Sequence, residues 1–183
     1  FHPVYAAASE LELPLFVHVS GADFIYQGGP APSSGVPESF AERRADFSQI
    51  AQSHLSSLIF NGTFERFPKL RVLFAEFGFS WVLPHLWRMD STWKMTRIET
   101  PWVRRWPSEY VREHVRFTTQ PVEEPARSEQ LVKLVEMLGP ELLLFSTDYP
   151  HWDGDNPDTV LRGLGAEARR RIFWDNGLDF WRL

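Results

Sequence analysis

Cysteine is absent from the 183 residues, which excludes a disulfide framework, a cysteine-ligated zinc finger and a thiol nucleophile together. Long apolar runs are missing too: none approaches the roughly 18 residues that a membrane-spanning helix needs. Basic charge is in deficit, with a formal net charge of −5, so the basic face that a nucleic-acid surface requires is not expected. The one compact basic run, Arg169-Arg170-Arg171, reads as the solvated side of a late helix. There is no Walker A pattern and no GxGxxG, which leaves nucleotide and dinucleotide binding without support. Ser146 lacks a GxSxG elbow, which speaks against a serine hydrolase. The opening FHPVYAAASELELP has neither the basic start nor the uncharged stretch of a signal peptide. These absences predict a soluble, cytoplasmic protein with no nucleic-acid or membrane partner.

What the chain does contain is apolar and aromatic side chains, 43% and 15% of its residues, enough to bury a core. No repeat, low-complexity tract or linker divides it, so residues 1–183 read as one domain. Strand-like and helical segments alternate, which predicts an α/β fold with parallel strands. Short runs rich in strand formers fall at Leu15–Val19, Arg71–Phe77, His114–Thr119 and Glu141–Phe145. Helices are predicted over Pro3–Leu11, about Glu38–Phe60, from near Ser80 and over Pro125–Leu138, with two short ones at the end. The stripe Phe47, Ile50, Ala51, His54, Leu55, Leu58 and Ile59 has helical spacing and makes His54 a core histidine. Thr100–Tyr110, with its prolines and tryptophans, reads as irregular packed structure. Ser20–Pro37 is a long glycine- and proline-rich loop, and Phe24 and Tyr26 within it suggest a lid.

Three polar residues interrupt the apolar strands near their C-terminal ends: His18, Glu76 and Asp148. In parallel α/β folds that end carries the active site. A buried carboxylate or imidazole there is costly unless a metal, a charge or a hydrogen bond compensates. Together the three suit a divalent cation such as Zn, Mn or Fe, which would lower the pKa of a bound water. Asp148 would then ligate the ion or take the water's proton. His151, three residues on in SerThrAspTyrProHisTrpAsp, is either a backbone-bonded loop histidine or part of the site. Trp81 and Trp152 both follow strand ends and are the tryptophans placed to wall a pocket. Gln120 is a candidate substrate contact, whereas Glu123 and Glu124 read as exposed loop.

Four stretches resemble the amidohydrolase-related (amidohydrolase family 2) group of metal-dependent TIM-barrel enzymes. They are LeuProLeuPheValHisVal at 13–19, the run LeuIlePheAsnGlyThrPheGluArgPheProLysLeuArgValLeuPheAlaGluPheGlyPheSerTrp at 58–81, HisValArgPheThrThrGlnPro at 114–121 and LeuPheSerThrAspTyrProHisTrpAsp at 144–153. The resemblance implies that His18 is the strand-five metal ligand and Asp148 the strand-eight ligand or general base. It puts Glu76 where many members have a strand-six histidine, and His151 close to the site. Nothing in the chain resembles the family's first strand with its HxH-type ligands. The resemblance therefore implies a C-terminal half barrel, strands five to eight, completed by an N-terminal segment or a second chain in an oligomer. It implies a metal-dependent hydrolase of a small amide, lactone or C–C substrate. The alternatives are a non-oxidative decarboxylase of an aromatic or enolic acid, with Arg88 clamping the carboxylate, an iron-dependent relative using oxygen, or a non-catalytic partner subunit.

Overall fold

The computed structural model describes residues 1–20 and 36–183. Most of the Ser20–Pro37 loop, with Phe24 and Tyr26, lies outside the described residues. Four strands, β1 (Leu15–His18), β2 (Val72–Ala75), β3 (Val115–Thr118) and β4 (Leu143–Leu144), form a parallel sheet in the order β1-β2-β3-β4. The register pairs Leu15 with Val72, Val72 with Val115 and Phe117 with Leu143, so all four C-terminal ends lie on one side. Parallel neighbours need a crossover, and helices supply each one. The helix α1 (His2–Glu10) precedes β1. Between β1 and β2 run α2 (Phe40–Ala45), α3 (Phe47–Phe60) and α4 (Thr63–Arg66); α5 (Val82–Thr96) and α6 (Pro107–His114) link β2 to β3. After β3 comes α7 (Ser128–Leu138), and α8 (Ala166–Arg170), a π-turn and α9 (Asn176–Trp181) follow β4.

The single helix predicted over 38–60 is two, which meet at Asp46. Ser39 opens the first, its Oγ accepting the Glu42 amide at 3.1 Å while the Glu42 carboxylate accepts the Glu38 amide at 3.0 Å. In α3 the stripe Phe47, Ile50, Ala51, Leu55, Leu58 and Ile59 is buried as its spacing predicts. His54 on that helix is only part-buried, so it is not the core histidine expected. Gly62 then takes φ +68°, and a Cβ there would lie 2.5 Å from Trp102 Cδ1.

The supposedly irregular 100–110 stretch contains the start of α6. Pro107 sits in its first turn and the Glu109 carboxylate accepts the Trp106 amide at 2.8 Å, so proline opens a helix here rather than preventing one. His114 ends that helix instead of starting β3. The strand predicted over 141–145 shrinks to two residues because Pro140–Leu142 form a 3-10 turn.

The core lies on the helix-covered face of the sheet. Val72, Phe74, Val115, Phe117 and Leu143 point into it and are at most 1% exposed. The alternating residues face the other way, where Leu73 and Leu144 group with Phe180 of α9 in a small separate cluster. Among the described residues no helix is long and apolar enough to cross a membrane.

Candidate metal centre

The parallel register delivers the tips of β1, β2 and β4 to one place. His18 is the last residue of β1, Glu76 directly follows β2, and Asp148 lies in the segment after β4. Glu76 and Asp148 have φ of +66° and +59°, a backbone state that non-glycine residues adopt at a cost. The Glu76 amide donates to Thr118 Oγ1 at 3.1 Å, so a β3 side chain holds this turn.

His18 Nε2 lies 2.9 Å from Glu76 Oε2, while His18 Nδ1 contacts the Val19 carbonyl at 2.6 Å. A ring that donates from Nδ1 to that carbonyl presents Nε2 as a second acceptor to the carboxylate, so a proton or a cation must sit between the two. Burial, and then the Asp148 charge, push the Glu76 carboxyl above its usual range, and His18, His151 and Arg44 only partly offset this. On the other flank His151 Nδ1 lies 2.8 Å from Asp148 Oδ2. That hydrogen bond, and then the Asp148 charge, raise the His151 imidazole above its ordinary value.

Glu76, Asp148 and His151 each offer a ligand atom within 4.8 Å of the others. Of the three ligands expected, the structure thus brings Glu76 and Asp148 together with His151, and His18 reaches the group through Glu76. Two carboxylates and imidazole nitrogens form a mixed oxygen and nitrogen donor set that fits a divalent ion such as manganese.

The expected pocket residues separate. Trp152 is 80% exposed and lines a cavity of about 400 Å³ beside His18, Glu76 and His151. Trp81 is not among the residues lining either cavity at the strand tips. It is buried, its indole N–H reaches the Phe77 and Gly78 carbonyls at 3.1 Å, and its ring stands edge-on to Phe117 in the core. Arg88 is exposed on α5 and lines neither cavity at the strand tips; Val82, Leu86, Met89 and Trp93 claim the buried side of that helix.

Arg43 and Arg44 both line the cavity beside Trp152, and the sequence singled out neither. Arg44 on α2 pairs with Asp153, lies 5.6 Å from the centre of the Trp152 ring and 5.7 Å from that of Phe40, and lines the same cavity. No local pattern marks it; the contact spans 109 residues. Glu123 is not free loop either. Its carboxylate accepts the Phe79 and Ser80 amides and the Ser80 hydroxyl, the last at 2.8 Å, which ties the β3 tail to the turn after β2. Glu124 is exposed, as expected.

This chain belongs to the amidohydrolase family, whose profile matches residues 1–183. Among curated proteins it is 25% identical over 191 residues to the gamma-resorcylate decarboxylase of Polaromonas sp. (strain JS666 / ATCC BAA-500), covering 100% of this chain and 55% of that one. It is 28% identical over 156 residues to the enzyme of the same name from Rhodococcus jostii (strain RHA1), covering 82% and 44%. The chain spans about half the length of the curated relatives it matches. Among solved structures, an amidohydrolase from Mycobacterium avium subsp. paratuberculosis K-10 superposes with a TM-score of 0.76 at 23% identity, over 98% of this chain and 44% of that one. A dihydroxybenzoic acid decarboxylase from Polaromonas sp. JS666, solved with manganese and 2-nitroresorcinol, gives 0.65 at 23%, over 99% and 53%. The four βα units are therefore part of a TIM barrel.

Proposed function

We propose that this chain supplies the metal-binding and proton-handling side of a non-oxidative decarboxylase acting on an aromatic carboxylic acid. The observation that carries this reading is the grouping of Glu76, Asp148 and His151 at the strand ends, in a chain matched along its whole length by a named decarboxylase. Decarboxylation takes precedence over the hydrolysis expected first because the curated relatives it matches are named as decarboxylases. The cavity beside the group favours a flat anion, since Phe40, Phe47 and Trp152 give it aromatic walls and Arg44 gives it a cation.

His18 Nε2 and the Glu76 and Asp148 carboxylates would hold a divalent ion, with the remaining ligands coming from polypeptide outside these residues, either an upstream segment or a second chain. Such an ion, when bound, offsets the crowded negative charge and draws electron density from the oxygens of the substrate. Asp148 accepts the His151 Nδ1 proton and so fixes the imidazole. The raised pKa of His151 keeps a proton available at the mouth of the site. The proton on His151 Nε2, not the Nδ1 proton held by Asp148, goes to the ring carbon bearing the carboxylate; the C–C bond then breaks, and its electron pair returns to the ring as carbon dioxide leaves. Arg44 anchors the carboxylate before it departs.

The test is manganese content and carbon dioxide release from 2,6-dihydroxybenzoate, for the full encoded protein and its His18→Ala, Asp148→Ala and His151→Asn variants. We expect the first two to lose manganese together with activity. The third is expected to keep the metal and lose about 100-fold or more in rate. Full metal content in both alanine variants would defeat the site assignment.

A further inference from the structure

We infer that Gln120 is a substrate contact whose side-chain amide donates a hydrogen bond to an oxygen of the bound aromatic acid; the inference rests on the decarboxylase reading above and names a specificity residue for it. Gln120 is 2% exposed and lines a cavity of about 240 Å³ together with His18, Glu76, Thr118 and Asp148. Its Nε2, which carries two hydrogens, has no hydrogen-bond partner among the described residues. The backbone around it is fully engaged. The Gln120 amide donates to Ser146 Oγ at 3.3 Å, its carbonyl accepts from Thr118 Oγ1 at 3.3 Å, and the neighbouring Thr119 amide donates to the Leu144 carbonyl at 2.9 Å. Thr119 Oγ1 in turn accepts the Ser146 amide at 3.2 Å, which ties the ends of β3 and β4 together.

The residue is thus held on both sides of its Cα while its side-chain donor is withdrawn from water and left unmatched. Burying such a group without a partner is unfavourable, and an apolar side chain of the same length would fill the space better. Gln120 shares the walls of that cavity with Glu76 and Asp148. A carboxylate or phenolate oxygen brought beside those groups meets the amide hydrogens and removes the deficit. A site built to hydrogen-bond one oxygen also rejects the analogue that lacks it.

The experiment uses the full encoded protein loaded with manganese, in wild-type form and as Gln120→Met, which keeps length and loses the donor, and Gln120→Glu, which keeps shape and adds negative charge. Affinity for the unreactive probe 2-nitroresorcinol, metal content and melting temperature are measured for each. In Gln120→Met we expect affinity to fall about 10- to 100-fold, manganese to be unchanged and the unliganded protein to melt at or above the wild-type temperature. Gln120→Glu is expected to bind more weakly still. Binding by Gln120→Met within about twofold of wild type would overturn the inference and leave the decarboxylase reading standing. So would a lower melting temperature of that variant, because the amide would then have its partner within the folded protein. A wild-type protein that holds manganese and binds no probe would overturn both.

Discussion

The two faces of the sheet obey different rules although their residues alternate along the same strands. On the helix-covered face Val72, Phe74, Val115, Phe117 and Leu143 are sealed to 1% exposure or less. On the opposite face Phe16 remains 55% exposed, Leu73 and Leu144 form a small cluster with Phe180, and the tips carry His18, Glu76 and Gln120 around open volume. One face is packed for stability. The other keeps the unmatched Gln120 side-chain amide, two left-handed backbone residues and a cavity, each of which costs stability and each of which a ligand would offset. Stability and function are therefore divided at the level of odd and even strand positions.

Substitutions at matched positions sharpen that contrast. The largest effect is expected from Phe117→Ala, which empties a site stacked on Phe74 and edge-on to Trp81. It should lower unfolding free energy by about 3–5 kcal/mol in urea titration, while the molecules still folded bind manganese as before. Thr118→Val, one residue along and on the other face, removes the acceptor of the Glu76 amide without changing shape. We expect about 1–3 kcal/mol of lost stability with a disproportionate loss of manganese affinity, because the turn that aims Glu76 is released. Equal losses of metal binding in the two variants would erase the division. Phe16→Ala comes third: half-exposed in this 183-residue chain, it should cost less than about 1 kcal/mol. A cost matching that of Phe117→Ala would mean that further polypeptide seals the inner face.

The packed face is also the one that the sequence announces. LFVHV, RVLFAEF, HVRFTT and ELLLF each contain a strand, shortened at its ends, because burial by helices demands apolar runs that show in one dimension. The polar breaks at His18, Glu76 and Asp148 were legible for the same reason, as interruptions of those runs. Which tryptophan faced the core was not: Trp81 and Trp152 both follow strand ends, and only the carbonyls of Phe77 and Gly78 turn the first inward. Arg44 was invisible and Arg88 misleading because each lies on a helix, and only tertiary packing decides which of them meets Asp153. Glu123 looked like surface loop because its partners, two backbone amides and the Ser80 hydroxyl, lie more than forty residues away in sequence.

Two histidines extend the contrast to pH, with the smallest expected effects. His114, on the packed side, is 3% exposed, stacks on Phe64 at 4.5 Å and lies 2.9 Å from the Leu70 carbonyl through Nδ1. Burial lowers its pKa and outweighs the upward pull of that carbonyl and of Glu113. Above the unfolded value of about 6.5 both states are neutral and the group is silent. As pH falls, the unfolded imidazole takes a proton first, so stability is lost from about pH 6.5 downward. His151, at the open tip, has a raised pKa, so it favours the folded state below about pH 6.5 and loses that contribution as pH rises through the folded value. Melting temperatures between about pH 5 and about pH 8 should therefore show a shallower acid-side fall in His114→Asn and a shallower neutral-side fall in His151→Asn. Identical profiles for the two variants would show that the packed face and the open tips do not differ in how they hold a titratable ring.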